Sequence, residues 1–122
     1  MKVIIDLIEE LRQSIANQEH YTLSVGLLKP DLKDETKLHY AGEAPLHHFE
    51  INTQQEQLLF THHTTKASPL KVEALLPSLM ILEMSTMMYP LRITLNEAYK
   101  DLEVVGFGKN DEEGRFILFI AV

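Results

Sequence analysis

The chain ends in Phe116-Ile117-Leu118-Phe119-Ile120-Ala121-Val122, seven residues without one polar side chain. A strand that is apolar on both faces must be covered on both, so this segment belongs inside a sheet rather than at its edge. Residues 102–109 and 114–122 flank Asn110-Asp111-Glu112-Glu113 and read as a hairpin. Pairing Val105 with Leu118 and Phe107 with Phe116 fills one face, while Val104, Ile117 and Phe119 make the other face apolar too. Gly106 would then face Ile117, where a missing side chain suits close packing or a bulge. Chain ends fray unless something ties them down, and a strand ladder would do the tying here.

The elements before this hairpin follow from periodicity. Ile4, Leu7, Ile8, Leu11 and Ile15 recur at spacings of three and four, which predicts an amphipathic helix over 2–17. Tyr21, Leu23, Val25 and Leu27 alternate along a strand that Lys29-Pro30-Asp31 stops. Residues 31–37 form a charged loop, Leu38 to Tyr40 a short strand, and Ala41-Gly42-Glu43-Ala44-Pro45 reads as turn. Residues 46–52 and 57–63 form a hairpin in which Phe49 meets Phe60 and Ile51 meets Leu58. Thr64 to Ala67 is a linker. Ser68-Pro69 has the chemistry of a helix start, and Pro77 should kink or split the apolar run Val72 to Met88. Leu91, Ile93 and Leu95 alternate as a strand, followed by a turn over 96–101. The expected fold is a single α+β domain over 1–122: a mostly antiparallel sheet, with an N-terminal helix and a central Met-rich helix packed against it.

Composition narrows the function. Eighteen acids against eleven Lys and Arg give a formal charge of −7, which opposes nucleic-acid binding and favours encounter with basic partners. The absence of cysteine removes disulfides, thiolate nucleophiles and cysteine metal sites, and fits a reducing compartment. Neither a signal-peptide apolar run nor a membrane span is present, so the expected location is the cytoplasm.

Six histidines are many for 122 residues, and four form the pairs His47-His48 and His62-His63. In the expected register His47 opposes His62, His48 and His63 lie diagonally across the other face, and Glu50 is beside His48. Imidazoles so placed are candidate metal ligands, or an acid–base pair of His48 with Glu50. The plainer reading is a histidine-rich strand end with no ion. Gly106-Phe107-Gly108 lacks the third glycine of a dinucleotide fingerprint, and residues 110–114 resemble a calcium loop in composition alone.

Met80, Met84, Met87 and Met88 are four of the five methionines. The favoured reading is a softly packed core helix; the other is a surface that grips apolar partners. Acids cluster at Asp31, Asp34 and Glu35 and at Asp111, Glu112 and Glu113, each a candidate docking site for a basic protein. In size, charge and element order the chain resembles toxin-neutralising immunity proteins and secretion chaperones, with no motif of either. The expectation is a protein-binding module that neutralises or escorts a basic partner through the acidic loops and Met84 and Met88. It needs no cofactor and engages neither nucleic acid nor membrane. The alternatives are an enzyme or metal binder built on His47, His48, His62 and His63, and a chaperone-like homodimer.

Overall fold

A computed structural model describes residues 1–14, 20–34, 36–63 and 68–122. In chain order the elements are α1 (Ile4–Ser14), β1 (Thr22–Pro30), β2 (Leu38–Pro45), β3 (His48–Asn52), β4 (Gln57–Thr61), α2 (Val72–Met80), a 3-10 turn (Met84–Thr86), β5 (Leu91–Thr94), β6 (Leu102–Asn110) and β7 (Arg115–Ala121). The strands form one sheet in the order β2-β1-β7-β6-β5-β4-β3. The α+β class holds, but the sheet is mixed rather than mostly antiparallel, because β1 pairs with β7 and β4 with β5 in parallel. A parallel pair needs a crossover connection, which α2 supplies between β4 and β5. The C-terminal strand lies inside the sheet, between β1 and β6, as its two apolar faces require.

β2 and β3 are the outermost strands, yet only Leu46 and His47 separate them. In a flat sheet, six strand spacings would hold the edges about 29 Å apart, while three peptide units reach about 10 Å. The sheet therefore rolls until its edges meet. β2 and β3 are halves of one bent strand, bonded to β1 along the first half and to β4 along the second, with Leu46 fully buried at the bend.

The ladder opens in two places, and a segment leading into a helix fills each. β5 and β6 pair only at Arg92 with Glu103 and Ile93 with Leu102. Beyond that, Lys2 N donates to Val104 O (3.1 Å) and Leu91 N donates to Lys2 O (2.9 Å). α1 starts two residues later, its first turn capped where Val3 N donates to Asp6 Oδ2 at 2.9 Å. The second opening lies between β1 and the bend. There Leu23 N donates to Leu70 O (2.8 Å) and Leu70 N donates to Leu46 O (2.7 Å). This explains why α2 starts at Val72 after an extended Lys71 rather than at Ser68-Pro69. Both polar groups of the Leu70 backbone are needed by the sheet, and a buried ladder bond outweighs a local capping signal.

The buried faces of the helices, Ile4, Leu7, Ile8 and Leu11 on α1 and Val72, Leu75 and Leu79 on α2, join Leu23, Val25, Phe60, Ile93, Phe116 and Leu118 in one core. The helix expected over 2–17 is seen as Ile4–Ser14; residues 15–17 and the linker 64–67 lie outside the described residues. The apolar run after Val72 splits beyond Met80, three residues past Pro77.

The β3–β4 register is the expected one, with Phe49 opposite Phe60 and Ile51 opposite Leu58. In the last hairpin the expected register is two residues off: Phe107 pairs with Leu118 and Lys109 with Phe116. The turn occupies 111–114, not 110–113, because Gly114 (φ +65°) is the residue that takes the left-handed conformation. Asn110 stays in the ladder opposite Arg115, and its Oδ1 accepts from Glu113 N at 3.1 Å. A slip of two preserves the faces, so Phe107 and Leu118 still point to the core side. A bulge between Val104 and Gly106 then turns Val105 outward. Gly106 faces Phe119 rather than Ile117, and nothing lies within 4 Å of where its Cβ would stand. The crowded glycine is Gly108, whose Cβ would come 2.7 Å from the Phe119 ring. Ala41 to Pro45, expected as turn, is the second half of β2; a bulge opposite Leu27 and Leu28 places Gly42 at φ +147°.

Candidate functional site

The four methionines near α2 do not form a core helix stripe. Met80 is the last residue of the helix, Met84 opens the 3-10 turn and Met88 lies beyond it. All three are exposed, together with Ile81; Met84 is 85% exposed and Ile81 84%. The cause is a backbone tether. Ile5 N donates to Met87 O (3.0 Å) and Ile4 N to Tyr89 O (3.1 Å), which satisfies two open amides of α1 and draws Met87 against the core. Met84 and Met88, on either side of Met87, are left facing outward. Four large apolar side chains exposed within nine residues are the kind of surface that marks association with another molecule. Ile81 was missed in the sequence because an apolar residue in an apolar run gives no sign of its exposure.

The charges within the two segments at this surface have one sign. Residues 72–91 contain Glu73 and Glu83 and no Lys or Arg; residues 3–11 contain Asp6, Glu9 and Glu10 and no Lys or Arg. The two α1 amide bonds dock these segments on one another. Lys71, at the start of α2, is opposed by Glu73 at 3.8 Å.

The histidine pairs do meet, at the seam where β2 becomes β3. His47 N donates to Thr61 O (2.9 Å), and His63 N donates to His47 Nδ1 (3.0 Å). His62 Nδ1 lies 2.6 Å from Pro45 O; a carbonyl only accepts, so this nitrogen carries the proton. His63 Nε2 and Thr61 Oγ1 are 3.2 Å apart. Ring centroids are 5.1 Å apart for His47 and His62, and 6.4 Å for His63 with either His47 or His48. His48 and Glu50 lie exposed along β3, with no bond between their side chains among the described residues. His62 and His63 also line an open cleft of about 400 Å³ with Thr61, Thr94, Asn96, Glu97 and Lys100. Among the described residues no three His, Asp or Glu are grouped to hold a metal ion.

The two acidic loops sit at opposite ends of the sheet. β1 and β7 run parallel from Thr22 beside Arg115 to Leu28 beside Ala121, so the loop before β7 and the loop after β1 cannot share a surface. Much of their charge shapes the loops. Asp31 Oδ1 accepts from Lys33 N (2.9 Å), while Asp34 Oδ1 accepts from the amide and hydroxyl of Thr36, which hold its carboxyl below the usual range. Glu35 lies outside the described residues. The buried Tyr21 hydroxyl donates to Asp111 Oδ1. That bond first, then burial and the carboxylate's charge, pushes the Tyr21 phenol up to about 12. The same bond, helped by Lys109, lowers Asp111. Glu113 pairs with Arg115 at 3.0 Å, and Arg115 reaches Glu43 on β2 at 2.8 Å.

Comparison with known proteins finds no matching family model, no similar curated protein and no similar solved structure. No helix among the described residues is long and apolar enough to cross a membrane.

Proposed function

We propose that this chain is a small acidic protein-binding module that docks a basic protein on its helical side, through Met80, Ile81, Met84 and Met88. The observation that carries the reading is the exposure of those four side chains. Burying one such side chain is worth about 1.5–3 kcal/mol, and leaving a cluster in water is costly unless a partner covers it. Methionine suits such a surface because its unbranched chain repacks against different apolar shapes. The partner is basic because the segments that form the surface, residues 3–11 and 72–91, carry five acids and no Lys or Arg, the bases Lys2, Arg12, Lys71 and Arg92 standing just outside their ends. The acidic loops at Asp31 and Asp34 and at Asp111 to Glu113 add to the field that steers it without forming the contact. Neutralising or escorting that partner in the cytoplasm, as immunity proteins and secretion chaperones do, is the role such a module performs.

Affinity enrichment with the wild-type chain and with the double variant Met84→Glu, Met88→Glu tests this. A basic protein held by the wild type and released by the variant is expected. Equal retention by both would refute docking on this surface.

A further inference from the structure

The hydrogen bonds of the histidine seam have a direction that depends on protonation. A ring nitrogen that accepts from a backbone amide must be unprotonated, so His47 Nδ1 holds the His63 amide only while its imidazole is neutral. His62 behaves oppositely: its Nδ1 already donates to Pro45 O, and a second proton on Nε2 leaves that bond intact. Of these two ring contacts between the bend and the end of β4, acid therefore breaks one selectively.

We propose that His47 is a pH-operated latch: neutral, it fastens the chain after β4 to the bend between β2 and β3, and protonated, it lets go. The latch sits where the rolled sheet closes on itself, so its release loosens the junction of the two sheet edges while the core bonds on either side stay in place. The neighbouring imidazoles add repulsion once His47 is charged. His62 and His63 face His47 from the end of β4, and each adds a like charge within 6.4 Å once it too takes a proton. His48 on β3 faces His63. Glu50 lies on β3 beyond His48. Glu97 and Lys100, from the turn before β6, line the cleft beside His62 and His63 and pair with each other at 2.8 Å.

The test is hydrogen exchange at the His63 amide, read by nitrogen-resolved NMR at pH 7.5 and pH 5.5, with imidazole nitrogen shifts recorded on the same samples. At pH 7.5 His47 should show an unprotonated Nδ1. Between the two pH values His63 protection, corrected for intrinsic exchange, should fall about fivefold or more, the factor that one ordinary hydrogen bond is worth. His47→Asn places a carbonyl acceptor that does not titrate near the Nδ1 position, and its His63 protection should change less than about twofold. A protonated Nδ1 at pH 7.5, or protection that is pH-independent in the wild type, would overturn the proposal. So would an equal loss in the asparagine variant. If that variant does not fold, the wild-type shifts and exchange decide the matter alone.

Discussion

Two glycines two residues apart on β6 should respond to the same substitution with opposite signs. The Phe119 ring lies across the outer face of β7, wedged between Gly26 on β1 and Gly108 on β6. A Cβ on Gly26 would stand 2.6 Å from two ring atoms and one on Gly108 would stand 2.7 Å from a third, so the ring cannot retreat from one without meeting the other. Ordinary contact starts near 3.4 Å, so Gly108→Ala forces a displacement of about 0.7 Å. Overpacking of that size costs about 1–3 kcal/mol, and the lower half applies because Phe119 is only partly buried and can lift toward solvent. Gly106 has open space at its Cβ position and no positive φ. There alanine should stabilise by about 0.4–1 kcal/mol, by restricting the unfolded chain. At about 3–5 °C per kcal/mol for a domain of this length, Gly108→Ala lowers Tm by about 3–10 °C and Gly106→Ala raises it by about 1–5 °C. Urea melts followed by far-ultraviolet circular dichroism give the free energies, and a cycle of Gly108→Ala with Phe119→Ala isolates the clash. Coupling of about 1 kcal/mol is expected, because without the ring the alanine has nothing to strike. An additive cycle, or equal destabilisation by Gly106→Ala and Gly108→Ala, would refute the register of the last hairpin.

Other outcomes follow from the same structure. Tyr21 and Tyr40 are both raised to about 12 from an ordinary 10.0, Tyr21 chiefly by its bond to Asp111 and Tyr40 chiefly by desolvation and then Glu43. Raised phenols favour the neutral form in the folded state, so their stabilisation is complete below pH 10 and lost as pH rises toward 12; absorbance at 295 nm should show two of the four tyrosines ionising late, and one in Tyr21→Phe. Asp111 is lowered, so its contribution is present at neutral pH and lost as pH falls through the carboxylate range; acid unfolding of Asp111→Asn should show a weaker dependence on pH there. Met84→Glu and Met88→Glu should leave stability within about 0.5 kcal/mol of wild type in urea melts, because both side chains are already exposed. With a basic partner in hand, its association rate should fall steeply between low and high salt while dissociation changes little; a salt-independent association rate would exclude steering.

The parts of the fold that were legible in sequence are those settled by neighbours along the chain. Phe49, Ile51, Leu58 and Phe60 admit one good pairing across a short loop, and the β3–β4 register follows. The interior place of β7 follows from its two apolar faces. The last hairpin lies two residues from its expected register because Asn110 and Gly114 both have turn chemistry, and only the left-handed backbone at Gly114 decides between them. Ala41 to Pro45 has the composition of a turn and the structure of an edge strand, since a bulge absorbs Gly42. The parallel pairs and the rolling of the sheet depend on contacts between distant segments, for which no local pattern exists. At the candidate site, the meeting of His47 with His62 was legible from the register. The outward turn of Met84 and Met88 was not, because it depends on the α1 amides that bind Met87 O and Tyr89 O.

A photoreactive amino acid placed at position 81 or 84, in the cells from which the chain comes, tests the binding account most directly. Position 32 is the control, because Leu32 is apolar and 100% exposed but stands alone in a charged loop. Mass spectrometry of the crosslinked species should show one basic protein attached through positions 81 and 84 and absent from position 32. The same set of adducts at all three positions, or an adduct at position 32 alone, would contradict the claim that the helical side is the docking surface.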